Sequence, residues 1–135
     1  VLPTPLELAQ GVPLYEHHAE FIQRARASIE AIIHGWDPRR LFIVGPCSIH
    51  DPQAALEYGM RLRDLSEHVS DQIFIIMRTY FEKPRTIVGW KGLLYDPDLD
   101  GSYLMAKGLK QTREILSGLT DLGIPVGCEL LEINT

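Results

Sequence analysis

The sequence predicts a parallel α/β fold, and two observations carry that reading. Stretches of helical hydrophobic periodicity alternate with short, unbroken apolar runs. Their order is helix, then strand-helix-strand-helix-strand, an alternation that implies right-handed crossovers and a parallel sheet.

Taken in order, residues 1–14 hold three prolines and little periodicity, and read as an extended N-terminal arm. Residues 15–35 read as an N-terminal helix. Phe21, Ala25, Ile29 and Ile32 recur at helical spacing, Gly35 is a natural stop, and Asp37-Pro38 prevents continuation. Leu41–Val44 is apolar at every position, as expected of a parallel strand covered on both faces. Asp51-Pro52 supplies an N-cap followed by proline at the first helical position. A helix follows from Pro52 to about His68, on the stripe Ala55, Tyr58, Leu62, Leu65 and Val69. Ile73–Met77 is a second buried strand, with Arg78 at its C-terminal end. Residues 79–101 form a long connection, and loops of that length are usually functional or disordered. Ser102 is placed to cap a third helix carrying Met105, Leu109, Thr112, Leu116 and Leu119. Gly123 ends it, and Pro125–Leu131 reads as a third strand.

Composition narrows the function. The hydrophobic share of 45% suits a globular chain of 135 residues. No apolar run reaches the roughly 20 residues of a membrane helix, and the first ten residues lack the pattern of a signal peptide. There is no initiator Met, so a processed or trimmed start is expected. Two cysteines make no disulfide framework, which points to a reducing, cytoplasmic setting. A net charge of −5 argues against nucleic-acid binding as the default. A parallel sheet of three strands leaves an edge and a face bare, so the chain is expected to be the first part of something larger.

In parallel α/β folds, ligands bind beyond the C-terminal ends of the strands. Cys47, Arg78 and Glu129 follow the three strands there. Cys47 is a small packing residue, a metal ligand or a nucleophile. His50 lies three residues on, but Cys-x-x-His with no second pair is a weak zinc signal, and His50 reads better as part of the helix start. The long connection adds Lys83, Arg85 and Lys91 among Tyr80, Phe81, Gly89 and Trp90, with Pro84 stiffening the backbone. A solvated charge run needs no rigid aromatic setting, so this one suits an anion, which Arg meets as a fork and Lys as a point charge. Glu129 is either neutralised by one of those cations or orients a water or proton. Cys128, on the other side of its strand from Glu129, and Trp36 are expected to pack, and Trp90 to brace the loop.

The stretches "GPCSIHDP" and "MRTYFEKPRTIVGWKGL" closely resemble the type I, microbial 3-deoxy-D-arabino-heptulosonate 7-phosphate synthases. Lys-Pro-Arg-Thr with the trailing Gly-Trp-Lys-Gly separates them from the related octulosonate phosphate synthases. The resemblance runs over nearly the whole chain and is weakest in the first 14 residues. It implies that residues 41–135 are an incomplete (β/α)8 barrel, the first three strands of a fold that takes about 250 residues. It implies condensation of phosphoenolpyruvate with erythrose 4-phosphate, the first step of the shikimate pathway. A divalent metal of the Mn, Fe or Co type is implied, held by a cysteine, a histidine and two carboxylates. Matched residue by residue, Cys47 is the cysteine ligand. Arg78 and Lys83 meet phosphoenolpyruvate, Arg85 and Thr86 hold erythrose 4-phosphate, and Glu129 positions the attacking water, so Lys83 and Glu129 are the catalytic candidates. The other metal ligands and later basic residues are not in this chain, so alone it is expected to be inactive. Inhibition by an aromatic amino acid is implied too, with Val1–Leu14 and Glu132–Asn134 the relevant places. A proline-rich arm with little to pack on suggests a homo-oligomer. The competing readings are a non-catalytic phosphate-binding or regulatory module and a nucleic-acid binder working through the aromatic-basic loop.

Overall fold

The computed structural model describes residues 2–84, 88–129 and 131. The elements are α1 (Pro5–Gly11), α2 (Glu16–Ile33), β1 (Arg40–Val44), α3 (Pro52–His68), β2 (Ile73–Arg78), α4 (Met105–Asp121) and β3 (Val126–Gly127). The strands form a parallel sheet in the order β1-β2-β3, with Val44 opposite Met77 and Arg78 opposite Gly127. Among the described residues, no helix is long and apolar enough to cross a membrane.

The core lies between one face of the sheet and the two crossover helices. Ile75 and Met77 of β2 meet Ala55 and Leu62 of α3 and Ile115 and Leu119 of α4. Helix α3 begins where the sequence places it: the Asp51 carboxylate accepts from the N–H groups of Gln53 and Ala54, at 2.8 and 3.1 Å. Those are two of the donors a helix start leaves without intrahelical partners. Helices α2 and α4 stop just before Gly35 and Gly123, which take φ values of 74° and 77°.

Several expectations are corrected. The arm is not wholly extended, because α1 lies within it. Thr4 and Glu7 make a capping box around Pro5: Glu7 N–H donates to Thr4 Oγ1, and Thr4 N–H to Glu7 Oε2. The arm also has a partner in its own chain, since Arg113 Nε of α4 donates to Val12 O at 2.6 Å. Helix α1 itself buries no residue, and Leu2, Leu6 and Leu14 remain exposed. Ser102 does not cap α4. The helix starts after Leu104, and the Ser102 N–H is held by Asp100. Strand β3 pairs over Val126–Gly127 alone, shorter than the expected Pro125–Leu131.

Strand β1 is not covered on both faces. It is an edge strand, and Phe42 and Ile43 are 45% and 62% exposed. Trp36 does not pack in the core either; it is exposed and stacks on His34.

A polar clamp absent from the sequence reading ties α2 to α4. His18, fully buried, donates from Nε2 to Asp121 Oδ1 at 2.6 Å, and His17 Nε2 reaches the same oxygen at 3.0 Å. His18 Nδ1 accepts from the Tyr15 N–H, which leaves the ring proton on Nε2. Donation from His17 and His18 holds the Asp121 carboxyl below its ordinary value.

Two outcomes follow from these contacts. Asp51→Ala should cost about 1 kcal/mol of stability, read as a lowered urea midpoint, with Asp51→Asn nearly neutral. A carboxyl depressed in the native state contributes stability that is full above its unfolded pKa of about 3.9 and lost as pH falls through the native value. Asp121→Asn should therefore lie below the wild type in urea midpoint near neutrality, and the two curves should converge as the pH drops below about 4.

Candidate functional site

The site is built where the three strands end. Beyond β1 the chain turns at Gly45, whose missing Cβ allows the crossing: a Cβ there would lie 2.5 Å from Arg78 O, a backbone atom that cannot yield. Two residues later comes Cys47, exposed. The turn is then pinned by Ile49, 2% exposed, whose N–H donates to Tyr80 O at 2.7 Å. On the other side, Thr79 is fully buried and donates from both N–H and Oγ1 to Gly127 O. The ends of all three strands are thus joined beyond the sheet itself.

Arg78, the last residue of β2, lies over the Tyr80 ring, its guanidinium carbon 3.9 Å from the centroid. Its Nη2 donates to Cys47 O at 3.4 Å. Its Nε is buried and has no acceptor among the described residues. Lys83 donates from Nζ to Cys47 Sγ at 2.9 Å. Glu129, two residues past β3, accepts the Glu82 N–H on Oε1 at 3.2 Å, while its Oε2 is buried with no partner among the described residues. Arg78 and Lys83 therefore both contact Cys47, and Glu129 is tied to the residue before Lys83 through the Glu82 N–H. Arg85 and Thr86 lie outside the described residues, as do Glu132–Asn134.

The long connection is ordered by its own backbone. Lys83 N–H donates to Lys91 O, and Leu94 N–H to Phe81 O, so the two arms of the loop run against each other. Gly92 sits where a Cβ would meet Phe81 O at 2.2 Å. Trp90 braces the turn as expected, donating from Nε1 to Asp96 O at 2.8 Å. Asp96, 5% exposed, accepts the Gly101 N–H on Oδ2. Sequence reasoning missed Thr79, Glu82 and Asp96. Asp96 carried no signal of its own, since Asp98 and Asp100 lie in the same stretch between Gly92 and Gly101.

Cys128 is a surface residue, not a core one. Strand β3 has already ended, so the alternation of a strand no longer governs its side chain. Partial enclosure, then the Glu129 and Glu82 carboxylates, raise its thiol above the ordinary value. It stays protonated near neutrality and is a poor nucleophile.

A soft thiol at a strand end suits one ligand place of a borderline divalent metal. Among the described residues no histidine or carboxylate completes that set around Cys47. The three-ligand grouping found is His17, His18 and Asp121, at the C-terminal end of α4. His18 Nε2 already carries the proton of the Asp121 hydrogen bond there, so that grouping reads as a structural clamp.

Comparison with known proteins places the chain in a family. A family model described as the DAHP synthetase I family matches residues 16–135. The phospho-2-dehydro-3-deoxyheptonate aldolase of Amycolatopsis methanolica is 50% identical over 131 residues, covering 97% of this chain and 64% of that protein. The Tyr-sensitive enzyme of that name from Salmonella typhimurium is 48% identical over 135 residues, 100% of this chain and 38% of its own length. A solved structure of the aldolase from Francisella tularensis superposes with a TM-score of 0.95 at 48% identity, over 98% of this chain and 39% of that one. The chain thus spans between 38% and 64% of these curated relatives. The match takes in nearly nine-tenths of the residues, from Glu16 to Thr135, and the chain belongs to the DAHP synthetase I family.

Proposed function

We propose that this chain forms the first three strands of a (β/α)8 barrel enzyme that condenses phosphoenolpyruvate with erythrose 4-phosphate. The products are 3-deoxy-D-arabino-heptulosonate 7-phosphate and inorganic phosphate. One observation carries the reading: the Lys83 ammonium and the Cys47 thiol meet at 2.9 Å, beside Arg78, at the C-terminal ends of parallel strands. A cation for the enol phosphate and a thiol for a metal stand side by side there.

Arg78 is held in place by the Tyr80 ring and the Cys47 carbonyl. Its unsatisfied Nε is a donor that a carboxylate or phosphate of phosphoenolpyruvate would complete. Lys83 adds a point charge to the same anion. Arg85 and Thr86 bind the phosphate of the sugar. Cys47 would hold one place on a divalent metal, which when bound would supply Lewis acidity to the aldehyde oxygen. The enol carbon then attacks the aldehyde carbon, and positive charge builds at the carbon bearing the phosphate. Water adds to that carbon. Glu129, with Oε1 fixed by the Glu82 N–H and Oε2 buried without a partner among the described residues, orients that water and takes its proton. The carbon–oxygen bond to phosphate breaks, and Arg78 and Lys83 hold the departing charge.

Relatives carry the names Tyr-sensitive and Trp-sensitive. An aromatic amino acid is the corresponding effector proposed here, acting through the arm. Both cysteines are free thiols, in keeping with a cytoplasmic enzyme.

The test is phosphate release by the full-length protein. It should require both substrates and a divalent metal, and yield the seven-carbon sugar acid. Phosphoenolpyruvate binding without turnover, metal and sugar phosphate present, would instead identify a phosphate-binding module. Residues 1–135 expressed alone should release no phosphate. Lys83→Met in the full-length protein should lower kcat/KM for phosphoenolpyruvate by about 10- to 150-fold, the value of one hydrogen bond to a charged group at about 1.5–3 kcal/mol. Steady-state kinetics with the sugar phosphate saturating check this.

A further inference from the structure

The contact between Lys83 and Cys47 puts an amine and a thiol at reacting distance, 2.9 Å from Nζ to Sγ. Both ends are held. The Lys83 N–H is bound to Lys91 O, and the turn carrying Cys47 is fixed by the Ile49 N–H on Tyr80 O and by Arg78 on the Cys47 carbonyl. Cys47 is exposed, so a small oxidant reaches its sulfur. A cysteine sulfenic acid condenses with a thiol to a disulfide or with a backbone nitrogen to a sulfenamide, and here the nitrogen held against the sulfur is the Lys83 amine.

We propose that, in the metal-free protein, Cys47 and Lys83 form a reversible sulfur–nitrogen cross-link when the thiol meets a hydroperoxide. In the first step the sulfur attacks one oxygen of hydrogen peroxide. The oxygen–oxygen bond breaks, a sulfenic acid forms at Cys47, and one water leaves. Sulfur is oxidised by two electrons and the peroxide is reduced. In the second step the Lys83 nitrogen, having given one proton to solvent, attacks the sulfenyl sulfur. The sulfur–oxygen bond breaks, and the departing hydroxide takes a second proton from nitrogen and leaves as water. The product is a sulfenamide joining Sγ to Nζ. A dithiol attacks its sulfur, which frees the Lys83 amine and leaves a mixed disulfide at Cys47; the second thiol of the reductant then displaces the Cys47 thiol, and the reductant is left as its own disulfide.

The consequence is a single lesion that withdraws the thiol and the cation together. It holds the sulfur at an oxidation level that thiols reverse, one step short of sulfinic acid. The inference rests on the site placement proposed above, but its chemistry does not depend on the condensation.

The experiment uses the full-length protein, stripped of metal by a chelator and treated with at least two equivalents of hydrogen peroxide, enough to reach sulfinic acid where no link intervenes. Peptides are then mapped by mass spectrometry without reduction, in the wild type and in a Cys128→Ser background that removes a competing thiol. The expected result is a Cys47 peptide joined to the Lys83 peptide, at their summed mass less two hydrogens. Dithiothreitol should abolish the link and restore metal binding in a metal titration. Lys83→Arg keeps the charge but not the amine. It should give no link and should carry Cys47 on to sulfinic acid, which dithiothreitol does not reverse. The proposal is overturned if wild-type Cys47 is found as sulfinic acid or as a disulfide while Lys83 is still acylated by an amine reagent. A link that forms in a protein without condensation activity would sink the proposed reaction and leave the cross-link standing. Condensation without a link would do the reverse.

Discussion

The parallel register of β1 against β2 is the constraint on which the rest of the molecule depends. Val44 stands opposite Met77, so both strands end at the same level. The turn after β1 must then pass over the end of β2, and it does so at Gly45, hard against the Arg78 backbone. A shift of one residue would turn Met77 from the helices to the other face. It would also move Cys47 away from Arg78 and Lys83. The packing of Met77 and the chemistry of the strand ends are therefore fixed by the same hydrogen-bonded ladder. Thr79 extends that logic to β3, since both its donors use the Gly127 carbonyl.

The long loop after β2 shows how a charged segment is given shape. Its cations are held by backbone and aromatic groups. Lys83 is fixed through its own N–H, Arg78 lies on Tyr80, and Trp90 locks to the Asp96 carbonyl. Phe81, Leu93 and Leu94 are buried in the same core as the helices, so the loop is anchored by hydrophobic burial at both arms. Side chains held this way need little reordering to meet an anion, which is the sense in which a charged site is preorganised.

Much of this was legible in the sequence because it is local. Helices α2 and α3 and strand β2 follow from periodicity, capping residues and an apolar run, all within a dozen or so neighbours. The failures have local causes too. Three prolines drew attention away from Thr4 and Glu7, whose spacing is that of a capping box. Ser102 has the chemistry of a cap, but its N–H is taken by Asp100 and the helix begins later. Cys128 was assigned by strand alternation to a stretch that has left the strand. Long-range pairs were out of reach. Nothing in a single sequence connects His17 and His18 with Asp121 more than a hundred residues on. Cys47 and Lys83 came together in the reading because each was assigned to the same rim of one sheet, but the distance between them was not legible.

The bare outer side of β1, with Phe42 and Ile43 open to solvent, bears on how a nascent chain matures. Unpaired amide groups beside apolar side chains are a template for any passing strand. If the natural partner of that edge is distant in sequence, closure must wait for a contact of high sequence separation, and such contacts form slowly. During that interval the half-built sheet is adhesive.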